Sequence, residues 1–253
     1  RRKELEKVIM WGLDYDYLSI GATDPERQRL YEERRSRTLH ENPTALLDHY
    51  KEAKAYFKNF TKESLKEVKL LSEQITEPMG EQVKIAVCIP VAGHQEGKNI
   101  FESLKNFSHQ TLSPDEYEIV LLVNHPDRDK AGNAVVPDET LTEIARFKTE
   151  HPEIPVRVMY TVLPIEKANI GQIRKLLNDV TLYRHHARGK GVPDLVLVSN
   201  DADNKGISPN YLESFLERFE SDPRIEGILG QLEWDPAAYT KYPEVFVGTE
   251  LFR

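Results

Sequence analysis

An α/β fold, a mostly parallel sheet with helices on both faces, is what this 253-residue sequence predicts. Apolar runs such as Leu195, Val196, Leu197 and Val198 read as strands buried on both sides, the mark of a parallel sheet. From residue 83 onward such runs alternate with segments of helical periodicity, the pattern of β-α units covered on both faces. In "LVLVSNDADNKGISPNYL", 195–212, two acids directly follow one run, at the carboxyl end where open parallel sheets take ligands.

Residues 1–80 carry no strand pattern and read as an N-terminal helical region ahead of an α/β domain at 81–253. Leu46, Tyr50, Ala53 and Phe57 mark one helix, and Leu65, Val68, Leu71 and Ile75 a second. Thr44 and Thr61 are candidate caps. The charged stretch "TDPERQRLYEERRSR" reads as a solvated helix face, and the region as a whole as a surface for a helix-mediated oligomer or partner.

The expected strands are 84–91, 118–124, 155–160, 194–200 and 225–234, each rich in β-branched or long aliphatic residues. Between them, 98–109 places Ile100, Leu104 and Phe107 on one face, 138–149 places Leu141, Ile144 and Phe147, and 169–186 places Ile170, Ile173, Leu177 and Val180. A last helix, 209–221, begins with Ser208 as cap and Pro209 in the first helical position, with Leu212, Phe215 and Phe219 inward.

A formal net charge of -8 argues against non-specific nucleic-acid binding, which needs a basic face. No window approaches the roughly 18 apolar residues of a membrane span, and "RRKELEKVIMW" lacks the apolar core of a secretion signal. The lone cysteine, Cys88, lies in an apolar run and reads as core filling, a usage that suits a reducing cytoplasm. The missing initiator methionine and the ending "GTELFR" suggest an excised fragment.

Asp201 and Asp203 share one side if the chain between them is extended, and two carboxylates on one side make a site for Mg²⁺ or Mn²⁺ completed by waters and substrate phosphates. Two solvated loop aspartates are the plainer alternative. Asn200, Asn204, Lys205 and Gly206 form a polar turn around the pair.

Taken in order, "IPVAGHQEGKNI" at 89–100, "NIGQIRKLLNDV" at 169–180 and "VSNDADNKGISPNYL" at 198–212 resemble the nucleotide-sugar-binding half of a GT-A fold glycosyltransferase of the family 2 group, over about 83–235. The resemblance implies sugar transfer from a nucleotide-diphosphate donor, with uridine as the default base, and a divalent metal held by Asp203 with Asp201 near the metal or ribose. It also implies that Pro90, Val91 and Ala92 line the base and that Glu96 matches the last acid of the family's first turn, while His94 and Gln95 replace its usual Asn and Glu. Arg174 then supplies charge to the diphosphate, or else pairs with a surface acid; Gly171 permits close backbone approach, or merely starts a helix. A metal bridging the phosphates would stabilise the leaving group's growing charge.

The second strand departs from the family, which places acids at its end. Here stands "LVNHPDRD", with Val123 and Asn124 in that position and Asp127 and Asp129 later. Asn124 both donates and accepts, so it could read a base edge. No catalytic base is assigned: Glu233, Asp235, Glu244 and Glu250 qualify by position only, and the acceptor half looks short or missing. Trp234 faces the sugar or fills a core. His185 and His186 read as a solvated helix end rather than a chelate, "GKG" at 189–191 as a turn, and Ser199 lacks a nucleophile's setting. Two other readings stay open: a non-catalytic binding or scaffold module on the same fold, and a sugar nucleotidyltransferase, although "PVAGHQEG" lacks the arginine of that class.

Overall fold

The structure, a computed structural model, describes residues 56–58, 60–189, 195–222, 225, 227–230 and 236–241. The chain divides into two compact units, Leu47–Arg218 and Arg1–Leu46 with Phe219–Arg253. Within the first, the elements run α1 (Lys62–Ser72), β1 (Ile85–Ala92), α2 (Ile100–Lys105), a 3₁₀ turn (Asn106–His109), β2 (Tyr117–Pro126), α3 (Thr140–Glu150), β3 (Val156–Leu163), α4 (Ile170–Ala187) and β4 (Val196–Ser199). Then comes α5 (Tyr211–Ser221), and the second unit contributes the short α6 (Pro236–Lys241).

The described strands form one four-stranded sheet in the order β3-β2-β1-β4, parallel throughout. Successive residues of each apolar run point to opposite faces, so one run supplies both. Ile85, Val87, Ile89 and Val91 of β1 pack with α2, α3 and Leu212 of α5, whereas Ala86 and Cys88 meet Val68 and Leu71 of α1 and Ile173, Leu177 and Val180 of α4. Both central strands are therefore dry on both sides, and each fully buried aliphatic side chain there stabilises the fold by about 1.5–3 kcal/mol. Burial pushes the Cys88 thiol up to about 12, beside the Thr181 hydroxyl, so this cysteine is core filling as its sequence context suggests.

Helix α1 starts where Thr61 caps it, the hydroxyl oxygen accepting from Ser64 N at 3.1 Å. Its residues Val68 and Leu71, with Ile75 and Met79, close one face of the sheet, which places this part of the N-terminal region inside the α/β unit's core. Of the first expected helix, Leu46, Tyr50 and Ala53, with the cap candidate Thr44, lie outside the described residues, whereas Phe57 is helical and packs against the same core.

Several expectations need correction. Leu141 and Ile170 are 40% and 55% exposed: in α3 the buried face runs through Thr140, Ile144 and Phe147 with Leu141 to one side of it, and in α4 Ile170 is the first helical residue and the buried face begins with Ile173. The last helix begins at Tyr211, because Ser208 and the two residues after it form a turn closed by Tyr211 N–H on the Ser208 carbonyl at 3.0 Å. Of the fifth strand, Ile225 and 227–230 are irregular, and its other residues, Glu233 and Trp234 among them, lie outside the described residues, as do Asp235, Glu244 and Glu250. His185 is wholly buried on the sheet side of α4, so only His186 belongs to a solvated end. Gly189, with φ +71°, terminates α4 in the left-handed conformation that glycine adopts without strain, while Lys190 and Gly191 lie outside the described residues.

Candidate functional site at the carboxyl edge of the sheet

The chain runs from β1 to β2 to β3 on one side and then crosses back to place β4 on the other side of β1. The order of the sheet reverses there, and ligands of open α/β sheets lie outside the carboxyl ends of strands at that reversal. Three segments build the edge: the loop after β1, the turn after β4 and the start of α4.

The turn after β4 lies across the edge. Asn200 N–H remains in register with β1 through the Cys88 carbonyl at 3.1 Å. Ala202 is buried in the core shared with α2 and α5, which leaves the carboxylates on either side of it exposed. On the α4 side Arg174 Nη2 donates to Asp201 Oδ1; on the α2 side the Asn204 carbonyl accepts from Asn106 Nδ2 at 3.3 Å, and the Pro209 carbonyl from Thr111 N at 2.7 Å. The chain between the two acids is not extended: Ala202 and Asp203 form a turn, with Asn204 Nδ2 on the Asp201 carbonyl at 3.1 Å. Outward placement thus comes from anchoring Ala202 rather than from strand alternation.

Among the described residues no group of three or more His, Cys, Asp and Glu side chains is arranged to hold a metal. The donor set at Asp201 and Asp203 nevertheless fits a hard cation, which takes one or two carboxylates and completes its shell with waters and phosphates. No soft or nitrogen ligand is needed for that.

The loop after β1 is drawn tight by the Ala92 carbonyl, which accepts from the N–H groups of His94 at 2.7 Å, Gln95 at 3.0 Å and Glu96 at 3.1 Å. Pro90 and Val91 are buried within β1, and of the expected base-lining trio only Ala92 is partly exposed. Glu96 turns toward the start of α2: its carbonyl accepts from Ile100 N at 2.9 Å and its carboxylate from Asn99 Nδ2 at 3.2 Å. Gly93 gives its N–H to the Asn124 carbonyl at 2.8 Å, so β1 and β2 remain joined one residue beyond the last strand pair.

Asn124 is 6% exposed, and its side-chain amide nitrogen donates to the carbonyls of Val91 and Leu122, both at 3.2 Å. Its donor capacity is used inside the protein. Gly171 is exposed in the first turn of α4, where an added Cβ would meet, among the described residues, only Asn169 Oδ1 at an ordinary 3.6 Å, so their packing does not demand glycine there. Asn169 caps the helix, accepting from Gln172 N at 3.0 Å, and Arg174 stands one turn further on.

Sequence reasoning missed two pieces of this edge. His125 is 4% exposed, with Nε2 2.6 Å from the Tyr160 hydroxyl and Nδ1 2.7 Å from the Pro126 carbonyl, and its ring lies 6.3 Å from that of His94. A carbonyl only accepts, so Nδ1 carries the proton and donates to Pro126. Asp138 ties the β1 loop to α3, accepting from Gly97 N at 3.0 Å, Thr140 N at 2.9 Å and the Thr140 hydroxyl. "VPDETL" carries the aspartate-before-helix signal that could have revealed Asp138; nothing local singles out the contact of His125 with a strand 35 residues away.

No protein-family model matches the sequence, and no curated protein matches it. Solved structures similar to it include S. aureus TarS 1-349 in complex with UDP, at 15% identity and TM-score 0.37, covering 55% of this chain and 32% of that one. Another is the mannosyltransferase PcManGT from Pyrobaculum calidifontis in complex with GDP-Man and Mn2+, at 19% identity and TM-score 0.37, covering 63% of this chain and 40% of that one. The chain thus spans less than half the length of either.

Proposed function

We propose that the chain carries the donor-binding unit of a glycosyltransferase that uses a nucleoside-diphosphate sugar, with a UDP-sugar as the default donor and Mn²⁺ or Mg²⁺ as cofactor. One observation carries the reading: an acidic turn lies across the carboxyl edge of a parallel sheet at its order reversal, faced by a guanidinium from the helix that matches the family's Gly and Arg segment. The ordered motifs along the sequence support it independently.

In this reading Asp203 and Asp201 hold the cation, which when bound neutralises charge on the departing nucleoside diphosphate. Arg174 donates its planar fork to the phosphates, where charge grows as the bond to the sugar breaks. The tight turn at Ala92–Glu96 shapes the nucleotide's side of the edge, and the turn's anchorage through Ala202 and Asn204 holds the carboxylates in place without further reorganisation. The buried free cysteine accords with a cytoplasmic setting.

A non-catalytic module is favoured by one feature, the commitment of Asn124 to backbone carbonyls where the family carries acids. Release of UDP from a panel of UDP-sugars by the full chain with Mn²⁺ separates the two. Transferase chemistry predicts measurable donor hydrolysis that falls about a hundredfold or more in Asp203→Ala, the scale of losing a group that stabilises transition-state charge. Hydrolysis unchanged by that substitution, or no nucleotide bound at all, defeats the reading.

A further inference from the structure

We propose that Arg174 and a divalent cation compete for Asp201, and that a nucleoside diphosphate relieves the competition by drawing the guanidinium onto its own phosphates. Nucleotide and cation then bind with positive coupling. The inference rests on the donor-site reading above and adds to it a switch of partners by one side chain.

The backbone of Arg174 is held. Ile173 and Leu177 on either side of it are in the core, and the far end of α4 is tied to β2 by the buried pair of Arg184 with Glu118. Only the side chain of Arg174 is free to exchange. Its present contact with Asp201 is incomplete: Nη2 reaches Oδ1, whereas Nε is buried with no hydrogen-bond partner among the described residues. A guanidinium presents a rigid fork of donors, and a diphosphate offers adjacent oxygens that can satisfy more of it than one carboxylate oxygen does.

Asp201 is 60% exposed in its side chain and Arg174 30%, so the pair is partly solvated and inexpensive to open. While it is closed, a second cation approaching Asp201 meets a like charge a few ångströms away. Release of Arg174 removes that repulsion. Because coupling between two binding events is reciprocal, whatever the nucleotide gains from the cation, the cation gains from the nucleotide.

The test uses the full chain as wild type, Arg174→Met and Arg174→Lys. Mn²⁺ binding without nucleotide is followed by the electron paramagnetic resonance of the free ion, and UDP binding in the presence of a chelator by calorimetry. R174M is expected to bind Mn²⁺ about two- to fivefold more tightly than wild type, the range of a partly exposed ion pair, and to bind UDP without metal more weakly by at least that factor. R174K retains the positive charge and is expected to remain near wild type for Mn²⁺.

Opposite movements of the two affinities are the signature, since mere damage to the edge weakens both. Should R174M fail to fold, as judged by circular dichroism, R174Q carries the same comparison. Unchanged or weaker Mn²⁺ binding in the charge-removing variant, or no Mn²⁺ bound by any of the proteins, overturns the competition. A wild type that binds no UDP with or without Mn²⁺ overturns the donor-site reading and the coupling with it, while the Mn²⁺ comparison alone still decides whether Arg174 guards Asp201.

Discussion

The carboxylate of Glu118, second residue of β2, is gripped by the guanidinium of Arg184 from the last turn of α4. A second prong, Nη2 to Oε2, measures 3.3 Å, and Arg157 Nε lies 3.7 Å from the same oxygen. Glu118 is 0% and Arg184 7% exposed, so this is a charge pair inside the fold. Arg184→Met leaves a buried carboxylate short of its main partner and is expected to cost about 3–5 kcal/mol in urea denaturation, whereas Glu118→Leu combined with Arg184→Met recovers most of that loss. A double variant no more stable than the single one would show that the pair does more than satisfy its own charges.

Gly93 has no room for a side chain. A Cβ there would lie 2.8 Å from Cγ1 of Val123, itself wholly buried in the core. Gly93→Ala is expected to cost about 1–3 kcal/mol, the usual range for overpacking. Gly97→Ala makes a control: its nearest neighbour, Glu139 Cγ at 2.6 Å, belongs to an exposed side chain that can swing aside. Thermal melts should rank G93A well below G97A.

Restoring an acid after the second strand is expected to fail. Asn124→Asp replaces an amide that donates to the Val91 and Leu122 carbonyls with a carboxylate facing two acceptors. Leaving buried groups so mismatched costs about 1–3 kcal/mol or more. The deficit should shrink on acidification, because a protonated carboxyl can donate again. Equal stability of N124D and wild type at neutral pH would show that the side chain rearranges freely.

Asp138 links stability to pH. Burial alone would raise its carboxyl, but the hydrogen bonds from the Thr140 hydroxyl and from the N–H groups of Gly97 and Thr140 outweigh that and hold it below its ordinary 3.8, with a small contribution from His94. A depressed folded value stabilises the protein above 3.8, and that contribution disappears as pH falls from there through the folded value. Asp138→Asn is therefore expected to melt below wild type at neutral pH, with the gap closing as the solution is acidified past that range. A gap independent of pH would assign the effect to shape rather than charge.

Much of the fold was legible because burial on both faces writes itself into the sequence as unbroken aliphatic runs. The strands around Ile85–Ala92, Tyr117–Pro126 and Val156–Leu163 stand within three residues of where those runs place them, and Thr61 caps its helix as its type suggests. Periodicity alone places Leu141 and Ile170 inward, because it shows neither that the small Thr140 takes the inward position beside Leu141 nor how far along a helix its face meets the sheet.

Residue pattern along the chain is enough to set the alternation of strands and helices, the hydrophobic faces and the position of Asp201 and Asp203 just past a strand. Tertiary structure alone decided the strand order, the partnership of Arg174 with Asp201 across 27 residues, and the commitment of Asn124 to backbone carbonyls. The division has a physical cause. Burial is a property of each residue and its neighbours in the chain, so it leaves a local pattern, whereas a partner across the sheet edge is set by where whole elements dock, and no spacing encodes that.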